Sequence, residues 1–193
     1  PVGIIDAGNA DVVLVTNDNE YGTPMAGAII DSEADDSNLN VLASDLTMTA
    51  LTGIGAGNMY ESTDLDVNTD RIIGDVTMAG DINIEETDDT VLDLSVADGD
   101  VDVLTLGGSL AVTEIDADQA VDNDVHLWAQ QDIVDQEDDR VYDILASDLV
   151  RLTTGVDGDG VVTGSIGTPA NALDIWAGRK LQIEAKDTTP HGL

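Results

Sequence analysis

The chain has 193 residues, with 40 Asp and Glu against 6 Lys and Arg, a formal net charge of -34, no Cys and no Phe. Its 42% of hydrophobic residues is enough to bury a core, and the length suits one domain spanning 1–193. The charge excludes nucleic-acid binding through the general surface, the missing cysteines exclude disulfides, thiolate metal sites and cysteine nucleophiles, and no run of ~18 apolar residues is present to span a bilayer as a helix.

In chain order, the first predicted strands are Asp11–Thr16, Ala26–Asp31 and Leu39–Ala50. Arg71–Glu85 then alternates: Ile72, Gly74, Val76, Met78, Gly80, Ile82 and Ile84 share one face, opposite Arg71, Asp75, Thr77, Asp81, Asn83 and Glu85. That is a long half-buried strand, or two joined by a glycine bend. Leu92, Leu94 and Val96 follow. Asp98-Gly99 predicts a hairpin between that run and Val101–Leu106, because Asp-Gly between alternating segments favours a tight turn. Leu104, Leu106, Leu110 and Val112 continue on one face.

Further strand candidates are Asp124–Gln130, Val141–Leu152, Gly160–Ile166 and Ala172–Ala177, and a last strand turns Leu181, Ile183 and Ala185 inward. A helix is expected only around Asp132–Ile144, with Ile133, Val141 and Ile144 on one face, and a shorter turn at Asp116–Asn123. Roughly ten short strands at near-regular spacing predict an all-β fold, read as an antiparallel β-sandwich in the form of a single jelly roll. The pentapeptide Leu42-Ala43-Ser44-Asp45-Leu46 recurs at Leu145-Ala146-Ser147-Asp148-Leu149; five common residue types favour coincidence over duplication.

No constellation for catalysis stands out, so the chain is expected not to be an enzyme. With so many acids, a close pair of carboxylates carries little information. His126 and His191 lack a nucleophile elbow or a metal-binding partner at helical spacing, and Gly53–Asn58 lacks the helix a phosphate loop requires. No organic cofactor is expected. Asp98, Asp100 and Asp102 alternate as in a calcium loop, although Val103 and Ser109 stand where that loop has Gly and Glu. With Asp157 and Asp159 they are the candidate sites for Ca, Mg, Na or K ions; the competing reading is solvated turns.

The retained cations are more informative. Arg151, Arg179, Lys180 and Lys186 are four of the six, and three of them lie with Trp176 inside Leu173–Lys186. In so acidic a chain, Arg beside Trp predicts an interface with something acidic, another copy or a sister subunit. The alternative is pairing within the chain to Asp174, Glu184 or Asp187.

Of the acids 32 are Asp and 8 Glu, and both Lys lie in the last 14 residues, a composition typical of halophilic proteomes. At ~1 M salt the Debye length is about 3 Å, so dense carboxylates cease to repel. Pro1 fits a product whose initiator Met is removed, and the start lacks a secretory signal pattern.

As a whole, an acidic, cysteine-free, strand-rich chain of 20.1 kDa resembles virion structural proteins of haloarchaeal viruses. Among these it is most similar to the smaller single jelly-roll major capsid protein of icosahedral haloarchaeal viruses with an internal membrane. The resemblance implies a capsid subunit in the virion, assembling with other copies and a sister capsid protein, near a viral membrane without entering it, and without nucleic acid as a partner. Alternatives are a decoration, turret or tail protein of a tailed haloarchaeal virus, a halophilic surface or carbohydrate-binding β-sandwich module, and a carboxylate-pair hydrolase.

Overall fold

The computed structural model describes residues 2–16, 27–31, 39–56, 64–137, 141–156, 164–168 and 172–187. The strands are β1 (Ile5–Asp6), β2 (Val12–Val15), β3 (Val41–Ala50), β4 (Leu65–Val76), β5 (Ile82–Glu86), β6 (Thr90–Val96) and β7 (Val101–Thr105). They continue as β8 (Leu110–Ala117), β9 (Val125–Ala129), β10 (Ile133–Asp135), β11 (Ile144–Ala146), β12 (Leu149–Val156), β13 (Ile175–Ala177) and β14 (Lys180–Asp187).

The all-β expectation holds. The antiparallel sandwich and its jelly roll do not: every strand pair among the described residues is parallel, in one sheet ordered β13-β11-β8-β6-β4-β5-β7-β9-β12-β14 and folded nearly closed on itself. The registers explain the form. Arg71 pairs with Val91, Thr90 with Leu110, and Ile82 with Val101, each partner roughly 20 residues further on, the signature of a coil of stacked rungs. A parallel pair needs a crossover of a dozen or more residues. Here the crossover is the strand on the opposite wall.

One wall holds β5, β7, β9, β12 and β14; the other holds β6, β8, β10 with β11, and β13. β4 bends from the first wall to the second, its Leu65–Val67 portion pairing with β5 and its Arg71–Val76 portion with β6. β3 bends one rung earlier, where the Ser44 hydroxyl donates to Asp70 Oδ2 at 3.1 Å. β1 and β2 both pair with β3 and form the first rung.

Alternation survives because each wall has one inner face. Ile72, Leu92 and Val112 stack in one column, and Leu94, Ile115 and Ile144 in the next. Facing them are Ile82, Val101, Val125 and Val150, beside Ile84, Val103, Leu127 and Leu152. All are buried, and each large aliphatic side chain contributes about 1.5–3 kcal/mol on leaving water.

Three local expectations are corrected with the topology. β6 and β7 flank Asp98-Gly99 but do not pair: β6 lies between β4 and β8, β7 between β5 and β9, and the dipeptide is a corner rather than a hairpin. The helix around Asp132–Ile144 is replaced by β10 and β11, two pieces of one wall strand that both pair with β8. The pentapeptide echo falls on opposite corners, the first copy passing from the first wall to the second and the second copy returning. It does not mark a duplicated unit.

Corners must let backbone sit on backbone. Gly80 has φ +140 and Gly99 φ +153; a Cβ on Gly80 would lie 2.2 Å from Thr52 O, and one on Gly99 2.5 Å from Gly80 O. Both conformation and space therefore require glycine. Gly99→Ala is expected to lose about 1–3 kcal/mol, read as a lower denaturant midpoint in high salt; an unchanged midpoint would show that the corner is not stacked this way.

Candidate functional site

Aspartates at the corners cap the following rung. Asp81 Oδ1 accepts from Asp100 N–H at 2.9 Å, Asp100 Oδ1 from Asp124 N–H at 2.8 Å, and Asp124 Oδ1 from Leu149 N–H at 3.0 Å. On the other corner Asp89 Oδ1 accepts from Ser109 N–H at 2.7 Å, and Asp132 Oδ1 from the Ser165 N–H and hydroxyl at 2.7 and 2.8 Å. A side chain bridging one strand spacing of ~4.8 Å must be short, so here Asp serves where Glu would overreach. Burial raises the Asp100 pKa, with the charges of Asp124, Asp81 and Asp102 adding to it, while the Asp124 N–H opposes.

The candidate cation ligands therefore separate. Asp98 is exposed, Asp100 belongs to the corner column, and Asp102 lies on the outer face of β7 with its Oδ1 2.8 Å from His126 Nδ1. Asp157 and Asp159 lie outside the described residues. Among those described, no group of three or more His, Asp and Glu is arranged to hold a metal ion.

His126 occupies the outer row between Asp102 and Arg151, and its pKa is raised, chiefly by the hydrogen bond to Asp102, against burial. In the interior, Glu86 stands in a column between Val67 and Thr105 and is fully buried. It accepts from the Thr87 N–H at 2.8 Å, the Thr69 hydroxyl at 3.1 Å and the Thr69 N–H at 3.2 Å. Burial still dominates and pushes its pKa up to about 8. Asp143, whose Oδ2 accepts from Asp174 N–H at 2.6 Å, is pushed up to about 6, again first by burial. Neither lines the grooves described below, so their chemistry is that of satisfying the stack.

The predicted interface residues all fall near the C-terminal end of the stack but are divided between its two walls. Arg151 is on β12, Trp176 on β13, Arg179 at the corner between β13 and β14, and Lys180 and Lys186 on β14: the last two rungs. Arg151 pairs with Glu184 at 3.7 Å, one of the partners expected within the chain. Arg179 instead ties two corners, pairing with Asp122 and, at 3.2 Å, with Asp148. Lys180 Nζ donates to Gln182 Oε1 at 2.8 Å, Trp176 is exposed, and the Lys186 side chain lies outside the described set.

Beside these cations the interior is open. Val150 and Leu152 are fully buried, but their successors in the same columns, Leu181 and Ile183, are 47% and 57% exposed. With Ile166, Leu173 and Ile175 they line a groove of about 660 Å³. A smaller groove on the side of the stack is lined by Asp70, Asp89, Thr90, Val91, Ser109 and Ala111. Sequence reasoning gave Leu181 and Ile183 the inward phase but had no means of seeing that β13 is the outermost strand of the opposite wall among the described residues. It missed Glu86, whose signal is an acid at an inward phase of β5.

No protein-family model matches the chain, and no curated protein or solved structure is significantly similar to it.

Two substitutions test this account. Glu86 holds a proton in the folded chain that the unfolded chain releases above about pH 4.5, so stability is fully present below that pH and falls as pH rises through about 8. Glu86→Gln keeps the acceptor for Thr87 N–H and supplies a donor to the Thr69 hydroxyl. Denaturant midpoints from pH 5 to 9 are expected to lose most of their decline, with the variant ahead by a few kcal/mol at the alkaline end; a parallel decline in both proteins refutes the assignment. Asp100→Asn retains the cap on Asp124 N–H and removes one charge from the column. It should stabilise the fold by up to about 1 kcal/mol at ~0.1 M salt and by nothing measurable at ~3 M. Equal effects at both salts would rule out charge repulsion along the corner.

Proposed function

We propose that this chain is a structural subunit without turnover, a rigid, salt-adapted shaft segment of a virion tail, turret or external fibre. The observation that carries the reading is the stack of parallel rungs, in which one apolar column runs from Ile82 through Val101, Val125 and Val150 to Leu181 and another from Ile84 through Val103, Leu127 and Leu152 to Ile183, an arrangement that makes a stiff rod. Such quasi-one-dimensional stacks gain stability from each neighbouring rung and suit load-bearing and spacing roles. The acidic sides add support, since they remain hydrated and mutually repulsive along the flanks.

A capsid-lattice role leaned on the jelly roll that the parallel sheet replaces. The tail, turret or surface-fibre form needs no sandwich and is favoured. A hydrolase would require an acid and a base converging on a cleft, whereas the most strongly raised carboxyls, Glu86 and Asp143, are each engaged in a rung-to-rung hydrogen bond.

Immunogold electron microscopy of the source culture with antibodies to the chain tests this. Label on virus particles or external fibres is expected; label confined to the cytosol would overturn the proposal.

A further inference from the structure

We propose that copies of this chain stack head to tail, with β14, the last strand of one, seated on β1, the first strand of the next. The inference rests on the structural reading above and adds the partner: a second copy.

Three observations converge. At the C-terminal end, β13 and β14 are the outermost strands of the sheet, so each offers an edge, and Leu181 and Ile183 extend buried columns into the open. At the other end, among the described residues β1 and β2 pair only with β3, and Ile5, Val12 and Leu14 are half-buried continuations of the columns of Val41, Leu46 and Met48, which are fully buried. The walls correspond: β1 belongs to the same wall as β14, and β2 to the same wall as β13. Seating one end on the other continues the ladder of β14 into β1 in the parallel sense it already has, and sets the uncovered apolar columns of one end against those of the other.

Charge selects the pairing of ends. Residues 1–70 contain 13 acids and no Lys or Arg, whereas four of the six cations lie from Arg151 onward. Asp6 and Asp11 belong to the first rung, and Arg179 and Lys180 are exposed on the last. Head-to-tail contact sets cations against acids. A two-fold contact at the first rung would set acids on acids, and a two-fold contact at either end would make the joining strands antiparallel. The heterologous contact does not close and therefore propagates.

Each copy carries a net charge of -34, so the contact forms only where salt screens the flanks. Size-exclusion chromatography with light scattering at ~3 M NaCl, over roughly 1 µM to 1 mM protein, reads the outcome. The mass is expected to climb from 20.1 kDa through successive multiples as concentration rises. The double variant Leu181→Glu, Ile183→Glu and the variant Leu14→Glu should each remain monomeric with unchanged circular dichroism. Mixed together, they should form dimers and nothing larger, because each supplies the end the other lacks. If Leu14→Glu unfolds, Ile4→Glu replaces it, since Ile4 is 68% exposed in the same rung.

A wild-type protein that stays monomeric, growth that halts at the dimer, or blocked ends that fail to complement would each overturn the proposal. A monomer whose antibody still labels virions or fibres removes the stacking and leaves the structural reading intact. A stacking protein confined to the cytosol does the reverse.

Discussion

Parallel stacking places every residue about 4.8 Å from its equivalent in the next rung, at the same height and on the same face. All else in the molecule answers to that constraint. For apolar residues the repetition is favourable, and Ile82, Val101, Val125 and Val150 form a column of contacts from like residues. For carboxylates it is costly, because like charges at one spacing repel. The corners accommodate it by giving each aspartate the next rung's N–H, as Asp100 does for Asp124. The Asp100 pKa is still raised, first by burial and then by the charges of Asp124, Asp81 and Asp102, against the one N–H that lowers it. Glu86, enclosed in the interior, is held by Thr69, Thr87 and a proton. Composition thus has two sources: an acidic flank, and a corner requirement for a short acceptor that accounts for Asp in particular.

Much of the interior was legible. Alternation identified Ile72, Ile82, Leu92, Leu94, Leu181 and Ile183 as inward, because any half-buried strand imposes a period of two, but it put Leu104 and Leu106 on the core face of a strand that buries Val101 and Val103 and leaves Leu106 exposed. Strand direction was not, since a parallel coil and an antiparallel sandwich impose the same period. The distinguishing signal was longer in range: equivalent apolar residues such as Ile72 and Leu92, or Ile82 and Val101, recur roughly every 20 positions with Gly and Asp in the same phase at the corners. Asp98-Gly99 misled because a tight corner and a hairpin both need glycine's backbone freedom, and only the partners of the flanking strands separate them. The stretch from Ile133 to Ile144 misled because one wall strand is interrupted there, and two strand pieces mimic a helical spacing.

The candidate site was legible in membership but not in wiring. Arg179, Lys180 and Trp176 come together because the last rung is contiguous in sequence. The partners of Arg179 are Asp122 and Asp148, carried to it by the stacking of corners from earlier rungs. Proximity along the chain pointed to Asp174 and Asp187. In a coil, an ion pair is more often a rung away than a few residues away.

A barrel removes its edges by closing around its axis, but a coil closes around its axis and keeps two open ends. Unpaired strand edges therefore lie axially, as do the uncovered columns at Leu181 and Ile183, while the flanks carry stacked carboxylates. Those flanks oppose side-by-side association through the same repulsion that strains the corners, and the retained Arg and Lys relieve it at one end. The distribution of charge thus discourages lateral aggregation and leaves the axis as the direction in which the molecule can bury what its own rungs leave uncovered. That polarity follows from the coil itself: a parallel stack has two different ends, and only unlike ends continue it.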